Sequence, residues 1–212
     1  MLLKSEQQSS IIDHQSQITN SLGLFWSSMP LLYLVRHGHA SSTWEPGDWN
    51  PGLSKLGRAQ AEARAKLLAR QRPLALLSSP LRRARETAAP LERRWETVAA
   101  LEPCVSEIRA DGVAPEKRRD WLRGIMERNW SEIGPPGSSL YRWRDDVLQA
   151  LVRITQDTVV FTHSVAINVA LGFALRDDRV TCFLPANCSM TVVESDGRGM
   201  RLVELGEEDE GL

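Results

Sequence analysis

The hydrophobic positions of this chain fall into two kinds of segment: short continuous apolar runs, and longer stretches in which they recur with the helical period. The first run, Leu31-Leu32-Tyr33-Leu34-Val35, predicts a buried strand. A polar loop carrying Trp and Pro follows over 39–52. Ser54 then stands where a helix N-cap belongs, and Ala61, Ala65 and Leu68 share one face of the helix it opens, which stops before Pro73. Leu74 to Leu77 predicts a second strand, a helix follows from about Arg82 to Trp95 with Pro90 as a breaker inside it, and Thr97 to Leu101 predicts a short third strand.

Residues 102–137 interrupt the alternation. They hold a long loop and one polar, Trp-bearing helix predicted over Pro115 to Trp130, ended by Gly134-Pro135-Pro136-Gly137. An insertion of this kind usually covers a site. Ser138 or Ser139 caps the next helix, whose apolar stripe is Leu140, Trp143, Val147, Leu148 and Leu151. Thr158 to Phe161 predicts a fourth strand, Ser164 to Leu175 an apolar helix, and Ser189 to Glu194 and Met200 to Leu205 a closing hairpin turned by Asp196-Gly197-Arg198-Gly199.

Strands that alternate with helices predict an α/β fold, a three-layer α/β/α sandwich around a mainly parallel sheet. In such folds sites form beyond the carboxyl ends of the strands. A length of 212 residues, 42% of them hydrophobic, suits one domain, expected over 29–206. Residues 1–28, rich in Ser, Gln and Asn and without a period, are expected to be a poorly ordered extension, with Met29 as the natural start. The acidic tail, 207–212, is expected to fray from Glu207 to Glu210.

Composition adds mainly exclusions. A formal net charge of -1 gives no overall field for nucleic acid or an acidic membrane, so any anion site is built locally. Cys104, Cys182 and Cys188 form neither a disulfide framework nor a CxxC motif, and no apolar run spans a bilayer. The expectation is a cytoplasmic protein, monomeric or homodimeric, with no nucleic-acid or membrane partner.

The chemistry sits after the strands: Arg36-His37-Gly38-His39 after the first, Ser78-Ser79-Pro80-Leu81-Arg82-Arg83 after the second, Thr162-His163-Ser164 after the fourth. Arginines, imidazoles and a helix amino terminus gathered at one sheet edge make a receptor for a compact dianion, because guanidinium forks match phosphate oxygens and free amides add donors. Nearby cations hold an imidazole neutral, which suits nucleophilic attack on phosphorus.

Leu34-Val35-Arg36-His37-Gly38 resembles the RHG signature of the histidine phosphatase superfamily, which includes the cofactor-dependent phosphoglycerate mutases. Asp48 with Leu53-Ser54 and Gly57-Arg58-Ala59-Gln60-Ala61 is similar to the family's LSxxGxxQA helix start, and Ser78 to Ala88 to its SSPLxRAxxTA segment. Val160-Phe161-Thr162-His163-Ser164 resembles its second-histidine strand end, so the likeness runs in order from Leu31 to Leu205. It implies a phosphoglycerate mutase-like fold and a metal-independent phosphatase without a cofactor. By the same resemblance His37 accepts the phosphoryl group, and Arg36, Arg83 and His163 hold its oxygens. Arg83 is preferred to Arg82 because it directly precedes Ala84 of the motif.

The proton for the leaving alcohol comes, in the family, from a glutamate in a segment like EIxxGxWEG. Glu107-Ile108 matches only its start, and Ala110-Asp111-Gly112-Val113-Ala114-Pro115 replaces the rest, so Glu107 is assigned as general acid with Glu102 and Asp111 as rivals. His39 belongs either on the pocket rim or in solvent, and Arg82 and Arg85 on a solvated helix face. Trp44 and Trp49 are placed at the substrate entrance, Trp95 and Trp143 in packing, and Trp121 and Trp130 in a lid or, preferably, buried. The expected substrate is a small phosphate ester, with a phosphoprotein as the alternative. Competing activities are a mutase, a metal hydrolase built on the His37-Gly38-His39 pair, and a phosphate-binding module without turnover.

Overall fold

A computed structural model describes residues 29–41, 50–110 and 112–209. The expectations for residues 1–28, for Trp44, Asp48 and Trp49, for Asp111 and for 210–212 lie outside the described residues.

The apolar runs form strands β1 (Leu31–Arg36), β2 (Ala75–Ser78), β3 (Ala100–Leu101), β4 (Thr158–Thr162), β5 (Met190–Ser195) and β6 (Met200–Glu204). They make one sheet in the order β3-β2-β4-β1-β5-β6. The first four are mutually parallel, while β5 runs antiparallel to β1 and β6 antiparallel to β5. The sheet is therefore mixed but mainly parallel.

Alternation along β1 divides the core. Leu32 and Leu34 face one side with Val160, while Val35 faces the other with Val159 and Phe161. Helices α1 (Lys55–Leu68) and α2 (Arg82–Trp95) cover the second side through Ala65, Leu68, Ala88 and Leu91. The first side is covered by α5 (Ser139–Val152) and α6 (Ser164–Leu175), together with α3 (Arg118–Met126) and α4 (Trp130–Ile133) of the insertion. This is the three-layer sandwich that the alternation predicts. Each fully buried Leu or Val in it contributes about 1.5–3 kcal/mol of apolar transfer. Helix α6 is buried at every residue from Ser164 to Gly172, which explains why its sequence carries no polar stripe.

Several predicted elements differ. Ser54 caps α1 by accepting from Gly57 N, as the sequence suggests, but α2 runs straight through Pro90. Burial of Ala84, Thr87, Ala88, Pro90 and Leu91 along one face outweighs the roughly 3 kcal/mol that an internal proline costs. The third strand keeps only Ala100 and Leu101, since Val98 is 82% exposed and Ala99 N is captured by the Glu92 side chain. The helix predicted from Pro115 to Trp130 breaks into a 3-10 turn (Pro115–Lys117), α3 and α4. At the break Asn129 and Glu132 form a reciprocal capping box, which starts a new helix.

The hairpin forms as expected, with Asp196 Oδ1 accepting from Arg198 N and Gly199 N. The chain end does not fray at Glu207 to Asp209. Arg64 holds the Glu207 carboxylate at 2.8 Å, Ala186 N donates to Glu207 O, and Asp209 N donates to Leu184 O at 2.7 Å. Cations and open backbone groups supplied by distant segments hold it down.

Candidate active site

Parallel register brings Arg36, Ser78 and Thr162 to one edge of the sheet, with Arg36 opposite Thr162 and Ser78 opposite Phe161. The residues that follow each strand therefore meet. Arg36, His37, Arg83, Glu107 and His163 come from four separate chain segments and converge there.

The turn after β1 is fixed by its own backbone. His37 N donates to Thr162 O at 3.0 Å, and Cys188 N donates to Arg36 O at 3.1 Å. Gly38 N donates to Thr87 Oγ1 at 3.0 Å, and that hydroxyl donates to Arg83 O at 2.7 Å. Two glycines interlock beside it: a Cβ on Gly38 would sit 2.6 Å from Gly57 O, and one on Gly57 would sit 2.1 Å from His39 O. The glycine of the RHG signature and that of the LSxxG segment are thus required by the same close approach.

His37 Nδ1 lies 2.8 Å from Gly38 O. A carbonyl only accepts, so Nδ1 carries the proton and Nε2 presents its lone pair. Arg83 Nε–H donates to that lone pair at 3.1 Å. Burial, followed by the charge of Arg83, pushes the His37 pKa down to about 3, so the imidazole is neutral at physiological pH. The ring of His163 lies 5.1 Å away, centroid to centroid, tilted by 60°. His163 is fully buried, and burial with the charge of Arg83 holds it neutral as well.

Arg82 and Arg83 separate as the motif implies. Arg83 turns inward onto His37, whereas exposed Arg82 binds Glu86 at 2.7 Å. Arg85 is exposed. The Arg36 guanidinium donates to Pro185 O and lies 3.3 Å from Asp209, while its buried Nε has no partner among the described residues. A buried guanidinium donor left open beside His37 is a position that an anionic oxygen could fill.

Glu107 and its rival Glu102 also separate. Glu102 caps the 3-10 turn Pro103–Val105 through Cys104 N. Glu107 faces the site, where burial raises its pKa against the lowering by backbone amides of Ile108 and Val165 and by Arg83. A carboxyl that keeps its proton above the usual range beside a helix amino terminus and an arginine is suited to proton donation.

His39 turns its Nδ1 to Ser54 Oγ at 2.9 Å, and its backbone N–H donates to Gln60 Oε1. Among the described residues, no group of three or more His, Cys, Asp or Glu side chains converges as a metal site. Trp130 is buried and stacks near Trp143 with ring centroids 6.4 Å apart, and Trp121 packs half-buried on the core. Sequence reasoning assigned no role to Thr87 or Ser79. Both lie within the SSPLxRAxxTA-like segment and are buried hydroxyls, which is a signal only once the fold is known.

Residues 32–208 match the sequence model of the histidine phosphatase superfamily, branch 1. Glucosyl-3-phosphoglycerate phosphatase of Mycobacterium tuberculosis is 32% identical over 122 residues, 56% of this chain and 50% of that protein. The enzyme of the same name from Mycolicibacterium vanbaalenii is 34% identical over 119 residues, 54% of this chain and 48% of that protein. The chain spans about half the length of these curated relatives. Among solved structures, a mycobacterial glucosyl-3-phosphoglycerate phosphatase in complex with VO3 superposes with a TM-score of 0.63 at 23% identity, covering 84% of this chain and all of that one. A Thermus thermophilus protein superposes at 0.54 with 24% identity, covering 82% and 97%. The fold is that of the phosphoglycerate mutase-like phosphatases.

Proposed function

The chain belongs to the histidine phosphatase superfamily, and from that footing we propose that it is a metal-independent phosphatase acting on phosphomonoesters through a phosphohistidine formed on His37. The observation that carries this reading is the state of His37: proton fixed on Nδ1, lone pair on Nε2, Arg83 at 3.1 Å from that lone pair.

In the first step Nε2 attacks phosphorus as the ester P–O bond breaks, and Glu107 gives its proton to the departing alkoxide. Arg83 moves its donor from Nε2 to a phosphoryl oxygen, joined by Arg36 and His163, so positive charge is already in place where negative charge develops. In the second step Glu107, now a carboxylate, takes a proton from water as the water oxygen attacks phosphorus. The P–N bond breaks and neutral His37 returns. The site itself needs no resident cofactor for either step.

The likeness to glucosyl-3-phosphoglycerate phosphatases supports a small phosphorylated organic molecule, rather than a phosphoprotein, as the substrate. No helix among the described residues is long and apolar enough to cross a membrane. Free Cys104, Cys182 and Cys188 fit a reducing, cytoplasmic setting for this activity.

A generic aryl phosphate tests the proposal. Hydrolysis is expected to continue undiminished in excess chelator. Loss of activity to chelator, with recovery on adding a divalent cation, would contradict it.

A further inference from the structure

Two buried polar atoms of the anion cluster, Arg36 Nε and His163 Nδ1, have no partner among the described residues. The other ring nitrogen of His163 is engaged: Nε2 lies 2.8 Å from Ser79 Oγ. Ser79, at the carboxyl end of β2, is fully buried. Its Oγ also accepts from Leu81 N–H at 3.2 Å and lies 3.3 Å from Ser106 Oγ, the side chain before Glu107.

A hydroxyl has one proton and two acceptor positions, and a neutral imidazole has one donor and one acceptor nitrogen. The direction of the Ser79 bond therefore decides what Nδ1 offers. When Ser79 Oγ–H donates to Nε2, its two acceptor positions take Leu81 N–H and, with the Ser106 hydroxyl turned to donate, Ser106 Oγ–H. The ring proton is then on Nδ1, which becomes a donor. In the opposite arrangement the Ser79 proton goes to Ser106 instead, Nε2 must supply the proton of the His163 bond, and Nδ1 turns a lone pair toward an anionic oxygen, which it repels. A bound phosphoryl group selects the first arrangement.

We infer that Ser79 is a positioning residue of the site: its hydroxyl grips His163 through Nε2 and keeps the ring proton on Nδ1, where it is available to a phosphoryl oxygen. The inference rests on the phosphatase reading and deepens it. Ser79 touches no reacting atom and acts only through His163. The same hydroxyl pair links the His163 ring to the segment that carries Glu107, so the second histidine and the proton donor share one support.

The test combines a double-mutant cycle with a direct observation of the ring. Ser79→Ala, His163→Ala and the double variant are assayed on an aryl phosphate, with a melting curve for each. Separately, the ring nitrogens of His163 are observed by NMR in the 15N-labelled protein saturated with inorganic phosphate. Ser79→Ala is expected to lower kcat/KM about 10- to 100-fold, the usual cost of losing an orienting partner, and to cost less than about 2-fold when His163 is already Ala. With phosphate bound, His163 of the wild type carries its proton on Nδ1. The same loss in both backgrounds, or a proton on Nε2 with phosphate bound, would overturn the inference. An inactive wild type defeats the phosphatase reading instead, and the ring measurement still decides the role of Ser79.

Discussion

His37→Ala abolishes hydrolysis of aryl and alkyl phosphates alike, with kcat/KM falling by about four to six orders of magnitude, the scale on which removal of a catalytic nucleophile registers. The melting temperature changes little by comparison, because the turn around His37 is held by backbone bonds to Thr162 and by Thr87 Oγ1 on Gly38 N rather than by the imidazole. Binding of inorganic phosphate survives, since Arg36, Arg83 and His163 remain. The His37 pKa of about 3 adds a second expectation. Its folded value lies below the ordinary one, so the ring stays neutral from pH 8 to pH 5, and no acid limb in that range arises from the nucleophile. Kinetics of the wild type and variant on one substrate series check all of this. A His37→Ala protein that retains a tenth of the activity would place the nucleophile elsewhere.

Glu107→Gln separates the two chemical demands of the reaction. The substitution keeps shape and removes the proton. Hydrolysis of an alkyl phosphate, whose alkoxide cannot leave unprotonated, is expected to fall by about 10²- to 10⁴-fold, whereas an aryl phosphate loses far less in the phosphorylation step. The pH dependence follows from the direction of the shift. Burial raises the Glu107 pKa, so the protonated acid persists above the usual carboxyl range, and alkyl phosphate turnover declines as pH rises through the raised value. That alkaline limb is absent in Glu107→Gln. Equal effects on the phosphorylation step for alkyl and aryl esters would remove Glu107 as the proton donor, since loss of its role toward water in the second step slows both esters alike.

Much of the site is legible in the chain because strand-end positions are coded locally. Leu31 to Val35 announces a buried strand, and the residues after it must then emerge at a sheet edge together with those after Leu74 to Leu77 and Thr158 to Phe161. The choice of Arg83 over Arg82 came from a single motif position, and the structure gives it a reason: Arg82 is occupied by Glu86. What escaped the sequence depends on distant partners. The hold on Glu207 to Asp209 comes from Arg64, Leu184 and Ala186, and no local pattern foretells it. Pro90 stays helical because burial of its neighbours overrides its local cost. The break before Trp130 was readable, since Asn129-Trp130-Ser131-Glu132 is itself a capping-box sequence inside a stretch predicted as one helix. Glu107 sits between these cases. Its position is legible, but its separation from Glu102 appears only when Glu102 is seen capping the turn after it.

The most direct test of the account is to catch the intermediate. The enzyme is mixed with excess substrate, quenched in alkali, in which phosphohistidine survives, and digested for mass spectrometry. The account predicts one phosphoryl group per chain, carried by the peptide containing His37 and absent from the His37→Ala protein. Turnover with no phosphoryl group on His37 at any quench time, or with the label on another residue, would contradict it.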